Sequence, residues 1–260
     1  MFRIEITHDV DHLGFRDHIA DGGLVRFAGL CCIGLARRSL SPREWLRAMF
    51  LMSRSALGGR DAWFCVPEWL EREKALGIRS TWFVACRRGR GIAYTPARAR
   101  QVVDMLKKAG CAIGLHSQCR DDPAGLAVEL AEFREVYGIE GPVPLRMHYL
   151  AGAGFDPVAC SGLFLFDSSI LASDRFFGDG DFERPVNIMD GEFVDAVKNR
   201  APAARMMESA RLETARIFAE AARQGLGVTV DLHQRSLSPT LPRYREYALW
   251  VLEETKRLTR

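Results

Sequence analysis

Short apolar runs alternate with longer segments whose apolar positions recur at helical spacing, and this alternation predicts most of the elements. Phe2 to Thr7 reads as the opening strand. Ser41-Pro42-Arg43-Glu44 carries the N-cap, first-turn proline and third-position acid of a helix start, with Trp45, Met49 and Met52 along one face. The broader stretch Leu24 to Ala56 reads as two helices. Pro67 to Leu76 is a further helix stopping at Gly77, and Ser80 to Ala85 a buried strand. Thr95-Pro96 opens a helix through Lys108, closed by Gly110; Cys111 to Leu115 is a strand ending in His116. Asp122-Pro123 opens a helix to Tyr137, closed by Gly138, and strands are expected at Leu145 to Leu150 and Leu163 to Phe166. The pattern breaks up from Ile170 to Asn199, with a turn at Gly178-Asp179-Gly180-Asp181. A long amphipathic helix, Ala203 to Gln224, a last strand, Gly227 to His233, and a terminal helix, Arg243 to Leu258, complete the chain.

Strands alternating with helices point to an α/β fold, a parallel sheet or barrel. There is no internal repeat, linker or low-complexity tract, so residues 1–260 are expected to form one domain. Its one excursion is a helical insertion after the first strand, about 13–62, which either walls the site or merely adds packing.

Composition narrows the class. Hydrophobic residues make up 48% and charged residues 27%, as in a soluble globular protein. The net charge is +3 and the arginines are dispersed among glutamates, which argues against a nucleic-acid partner. No run is long enough to span a bilayer, and a strand beginning at residue 2 leaves no room for a signal peptide, so a cytoplasmic location is expected. The seven cysteines are odd in number and lack paired spacing, which fits reduced thiols and neither a disulfide framework nor a cysteine zinc site.

The notable polar residues fall at strand ends. Asp9 and Asp11 follow the first strand, His116 ends a later one, Arg146 and His148 lie on the next, and His233 ends the last. In parallel α/β architectures the carboxyl ends of strands converge on one face. Taken singly, each has a structural explanation: His148 suits a hydrogen-bonded core position, and His233 suits a strand cap. Taken together they suit metal-assisted hydrolysis. Aspartate and histidine hold zinc or a similar divalent ion, a second carboxylate accepts a proton from water, and an imidazole protonates the leaving group. A nearby arginine keeps the accepting carboxylate ionised.

The order Thr7-His8-Asp9-Val10-Asp11, Ser80-Thr81-Trp82-Phe83 and Ile113-Gly114-Leu115-His116-Ser117 resembles the polysaccharide deacetylase family, the carbohydrate esterases with the NodB homology domain. Arg146-Met147-His148-Tyr149-Leu150, Phe166-Asp167-Ser168-Ser169 and Asp231-Leu232-His233-Gln234 fit the branch whose first motif reads HDVD. The resemblance implies a distorted, incomplete (β/α) barrel and a metal-dependent hydrolase that removes acyl groups, usually N-acetyl, from amino sugars. It also implies one divalent ion, zinc first among the candidates. Asp9 matches the catalytic base, Asp11 the metal-binding aspartate, His116 the first metal histidine, Arg146 the arginine that orients the base, and His233 the acid. The family's second metal histidine falls at Arg120, whose guanidinium cannot ligate. His148 is then the expected third ligand, ahead of His12 and His8. Tyr149, Trp82 and Asp167 are the expected substrate contacts, with Trp63 a further aromatic, although buried aromatics more often serve the core. An amino-sugar or glycan-type small molecule is the expected substrate. The competing readings are a carbohydrate-binding relative that has lost the metal, and an amide hydrolase acting on a non-sugar substrate.

Overall fold

In the computed structural model, residues 1–19, 22–119, 122–150, 156, 161–195 and 202–259 are described. The chain begins with β1 (Arg3–Val10), α1 (Gly23–Ala36), α2 (Pro42–Ala56), α3 (Val66–Leu76), β2 (Thr81–Val84), α4 (Pro96–Ala109) and β3 (Ala112–Ser117). It continues through α5 (Pro123–Tyr137), β4 (Leu145–Met147), β5 (Val186–Met189), α6 (Asp190–Phe193), α7 (Ala203–Gln224), β6 (Gly227–Asp231) and α8 (Pro242–Leu258). The six strands form one sheet in the order β4-β3-β2-β1-β6-β5. Strand β1 pairs in parallel with β2 and with β6, and β2–β3 and β3–β4 are also parallel. This is an incomplete (β/α) barrel, with β4 and β5 at the two ends of the strand order.

Two compact units result. The first comprises Met1–Asp11, Ile78–Ile188 and Ile217–Asp231. Its strands are short and apolar on both faces: Ile6, Phe83, Val84, Leu115, Leu145, Val228 and Val230 are all buried. Such runs are what a sheet covered on both sides requires. The helices around it start and stop where local chemistry dictates. Thr95 and Asp122 cap the amino ends of α4 and α5, and both helices end on glycines in the left-handed region, Gly110 and Gly138.

The second unit comprises His12–Gly77, Met189–Arg216 and Leu232–Arg260. Helix α2 opens with the expected capping box: Ser41 Oγ accepts from the Glu44 backbone N–H, and the Glu44 carboxylate accepts from the Ser41 N–H. Its apolar face joins a core of Phe15, Phe27, Cys31, Ala48, Met52 and Trp63, with Leu40, Trp45 and Met49 packed against it.

Two strand assignments differ from the sequence reading. Leu163 to Phe166 forms no strand; only Asp167 makes isolated bridges, to Leu145 and Glu183. The sixth strand is instead β5, inside the segment where the pattern breaks up. Its Asn187 hides the apolar signal because the side chain serves the fold. The Asn187 amide donates to the Ala172 and Arg175 carbonyls, and its oxygen accepts the Thr229 N–H. The expected strand Leu145 to Leu150 also stops at Met147, because Tyr149 and Leu150 adopt positive φ. Among the described residues no helix is long and apolar enough to cross a membrane, and the six described cysteines are free.

Candidate metal and catalytic site

The strand order places the carboxyl ends of β1, β3 and β4 on one side of the first unit, and three potential ligands meet there. Asp11 Oδ1 lies 3.0 Å from His116 Nε2 and 3.2 Å from His148 Nδ1, and the two imidazole nitrogens are 3.0 Å apart. Zinc bonds of 2.0–2.1 Å in a tetrahedral shell set neighbouring donor atoms roughly 3.3 Å apart. One carboxylate oxygen and two imidazole nitrogens at this spacing therefore fit a single small divalent ion.

The tautomer of His148 favours the same reading. Its Nε2 lies 2.8 Å from the Arg90 carbonyl oxygen, which can only accept, so Nε2 carries the proton and the Nδ1 lone pair faces Asp11 and His116. The loop that supplies this carbonyl must pass close to the ring. Gly91 stands at φ +83°, where a Cβ would come within 2.8 Å of His148 Nε2 and 2.6 Å of the Tyr149 hydroxyl. On His116, burial pulls the imidazole pKa down, but the Asp9 and Asp11 carboxylates outweigh it and the net shift is upward.

Behind the ligands sits Arg146, with no exposed surface. Its Nη1 donates to Thr7 Oγ1 at 2.9 Å, Asp9 Oδ1 at 2.9 Å and Asp231 Oδ1 at 2.7 Å. Its Nε and Nη2 donate to the carbonyl and hydroxyl of Ser168, and the guanidinium stacks on Phe83 at 4.2 Å. Burial disfavours its charge, yet the two carboxylates reverse the effect and hold Arg146 more firmly protonated. Asp9 thus has one oxygen fixed by Arg146, while Oδ2 lies 4.0 Å from His116 Nε2.

Two positioning residues escape a reading of motifs. Tyr94 donates its hydroxyl proton to the Val10 carbonyl at 2.7 Å and accepts the Ala85 N–H, fixing the peptide between Asp9 and Asp11. Glu129, fully buried on α5, accepts from the Ser117 hydroxyl and from the Gln118 and Cys119 N–H groups, anchoring the turn after His116. A buried acid on a helix is the signal that points to it. Arg120, which stands where the resemblance expects a histidine, lies outside the described residues.

His233 belongs to the second unit and follows β6 by two residues instead of ending it. Its Nδ1 lies 2.7 Å from Asp190 Oδ1, and its backbone N–H donates to Asp190 Oδ2 at 2.9 Å. The Ser236 hydroxyl also donates to Asp190. Burial raises the Asp190 pKa, but the His233 charge and these hydrogen bonds reverse it, leaving the carboxyl below its ordinary value. Asp231, in the same motif as His233, accepts from Arg146, whereas the carboxylate 2.7 Å from His233 Nδ1 is that of Asp190, in a segment with no legible pattern.

The expected substrate contacts divide. Tyr149 is 54% exposed and its ring lies 4.0 Å from that of His148, so it presents a face beside the ligand cluster. Trp82 and Asp167 do not match a role in touching substrate, because neither has exposed surface. Trp82 packs on His8 and donates to Ser80, whereas Asp167 accepts from the Ser169 hydroxyl and N–H. His8, one of the alternative ligands, is thereby buried beside Trp82, and His12 pairs with His18 in the second unit. Trp63 lies in the core of that unit.

No protein-family model and no curated protein matches the sequence. Solved structures do match in fold. A protein from Mycobacterium smegmatis assigned as a polysaccharide deacetylase aligns with a TM-score of 0.57 at 21% identity, covering 96% of this chain and 84% of its own. The allantoinase PuuE aligns at 0.56 and 14% identity, covering 97% and 84%. A protein from Pseudomonas aeruginosa PAO1 assigned as a polysaccharide deacetylase aligns at 0.55 and 12% identity, covering 98% and 90%. The fold implied by the motifs is the fold these proteins share.

Proposed function

We propose that the chain is a metal-dependent amidohydrolase that removes an N-acetyl or other N-acyl group from an amino sugar or glycan intermediate. The observation that carries this reading is the Asp11–His116–His148 cluster standing beside an aspartate, Asp9, whose Oδ1 accepts from Arg146 Nη1 at 2.9 Å. A divalent ion held by Asp11, His116 and His148, zinc by donor type, would supply Lewis acidity to the acyl carbonyl and acidify water.

Asp9 is the general base in this proposal. Arg146 occupies Oδ1, so Oδ2 is the oxygen that takes the proton of the attacking water. His233 is the general acid. Its bond to Asp190 fixes the ring with Nε2 left to protonate the departing amine, without which the C–N bond breaks poorly. Tyr149 offers the aromatic face for a sugar ring. The insertion at 13–62 shapes substrate choice within a single catalytic chain that acts in the cytoplasm.

The fold shared with an allantoinase favours one second reading, hydrolysis of a non-sugar amide. One experiment separates the two. The zinc-reconstituted protein is assayed for acetate release from a panel of N-acetyl amino sugars and for ring opening of allantoin. Acetate release that disappears on chelation supports the deacetylase. Activity on allantoin alone supports the second reading, and activity on neither with no bound metal would overturn both.

A further inference from the structure

The second unit carries a half-open cavity of about 240 Å³. A cavity of about 150 Å³ already accepts benzene, so this one has room for a larger body than a single ring. Phe27, Leu30, Leu40 and Trp63 form apolar walls. Trp63 is rigidly held: its indole N–H donates to Thr240 Oγ1 at 3.1 Å, and Phe15 and Phe27 pack edge-on at 5.2 and 5.7 Å. A fixed aromatic wall presents a preformed surface, the usual property of a small-molecule site.

The charged groups on the wall are unequally satisfied. Arg243 is paired with Glu44 and Glu246, and the Tyr244 hydroxyl is bonded to Asp195. Arg235 differs. Its guanidinium lies 5.1 Å over the Trp63 ring, and among the described residues its side chain has no carboxylate partner and no hydrogen-bond acceptor. A half-buried guanidinium offers five donors in a planar fork that matches an oxyanion. The packing on Trp63 fixes the plane of that fork, which lowers the ordering cost of accepting such a partner. His12 and His18, joined at 2.6 Å, supply further polar surface on the same wall.

We propose that this cavity binds a small oxyanion carrying an apolar body, an aliphatic or aryl carboxylate or phosphate, with the charged end on Arg235 and the body against Trp63, Phe27 and Leu40. The site lies wholly within the second unit and uses none of the residues assigned to hydrolysis.

Calorimetric titration of the full chain with octanoate, octyl phosphate, octanol and inorganic phosphate tests this. Each is measured with and without a chelator, so that oxyanion binding to a metal at Asp11 is recognised separately. The expected result is chelator-independent binding of octanoate or octyl phosphate, with octanol and inorganic phosphate at least ~10-fold weaker, the size of a charge-assisted hydrogen bond. Arg235→Gln should remove that preference and leave octanol binding unchanged. Filling the cavity with Cys31→Phe should abolish binding; Leu30→Trp at the exposed rim serves the same end if the buried change unfolds the protein. Octanol binding as tightly as octanoate, indifference to Arg235→Gln, or no binding of any probe would overturn the proposal.

Discussion

The Nε2 of His148 reaches the carbonyl oxygen of Arg90 at 2.8 Å, so the orientation of a candidate ligand depends on a loop 58 residues earlier. Gly91→Ala tests that dependence. The added methyl collides with His148 Nε2 and the Tyr149 hydroxyl, in a backbone conformation already costly for alanine. Metal affinity, measured by competition with a chelator, should fall roughly 10–100-fold, as is usual when an outer support of a metal histidine is lost. Thermal stability of the metal-free protein should change much less.

Asp9 and Asp11 should separate cleanly. Asp11→Asn weakens metal binding, because its oxygen faces both imidazoles. Asp9→Asn should keep the metal and reduce turnover by ~10²-fold or more, the usual size of a lost general base. Metal content and kcat measured on both variants check the division. An empty site in Asp9→Asn with a full one in Asp11→Asn would exchange the roles.

Arg146, itself wholly buried, joins two buried carboxylates, Asp9 and Asp231. Arg146→Met should destabilise the fold by about 3–5 kcal/mol, the range for a buried ion pair stripped of one partner. Adding Asp231→Asn should restore part of the loss. Urea unfolding of the single and double variants measures both.

Asp190→Asn and His233→Ala should act alike. Each should cut hydrolysis of an N-acetyl substrate severely and affect an activated ester far less, since the ester's leaving group needs no proton. Metal content should stay constant. Equal losses on amide and ester would remove His233 from the role of acid.

Asp167 imposes a pH signature on stability. Burial raises its pKa from 3.8 to about 6, against the opposing pull of the Ser169 hydrogen bonds. The folded state therefore holds this proton more tightly than the unfolded state. The resulting stabilisation is full below the unfolded pKa and is lost as pH rises through about 6, a change of up to about 3 kcal/mol. Unfolding curves from pH 4 to 7 should show the wild type losing this much relative to Asp167→Asn.

The parts of the site that could be read from the sequence are those carried by regular strands. Asp9, Asp11, His116 and Arg146 lie on or just beyond apolar runs that any parallel sheet brings together. His148 was reached by a different route, the need for a ligand where Arg120 has none to offer. Asp190 and β5 could not be read this way, because Asn187 and Asp190 are polar residues whose burial depends on partners remote in sequence, among them Thr229 for Asn187 and His233 for Asp190. Trp82 and Asp167 show the opposite failure. Each sits in a motif beside the site, yet both are wholly buried, Trp82 within β2 and Asp167 bridged to Leu145 of β4.

The sheet order also fixes a schedule for synthesis on the ribosome. Strand β1 is made first, yet one of its two neighbours, β6, comprises residues 227–231. At about 5–20 residues per second, roughly 10–40 s separate the emergence of the two strands. Throughout that interval β1 presents an open edge at Glu5, Ile6 and Thr7, the register that later receives Thr229, Val230 and Asp231. The nascent chain therefore carries β1 with one edge open until β6 emerges, a state that invites capture by chaperones or by other chains.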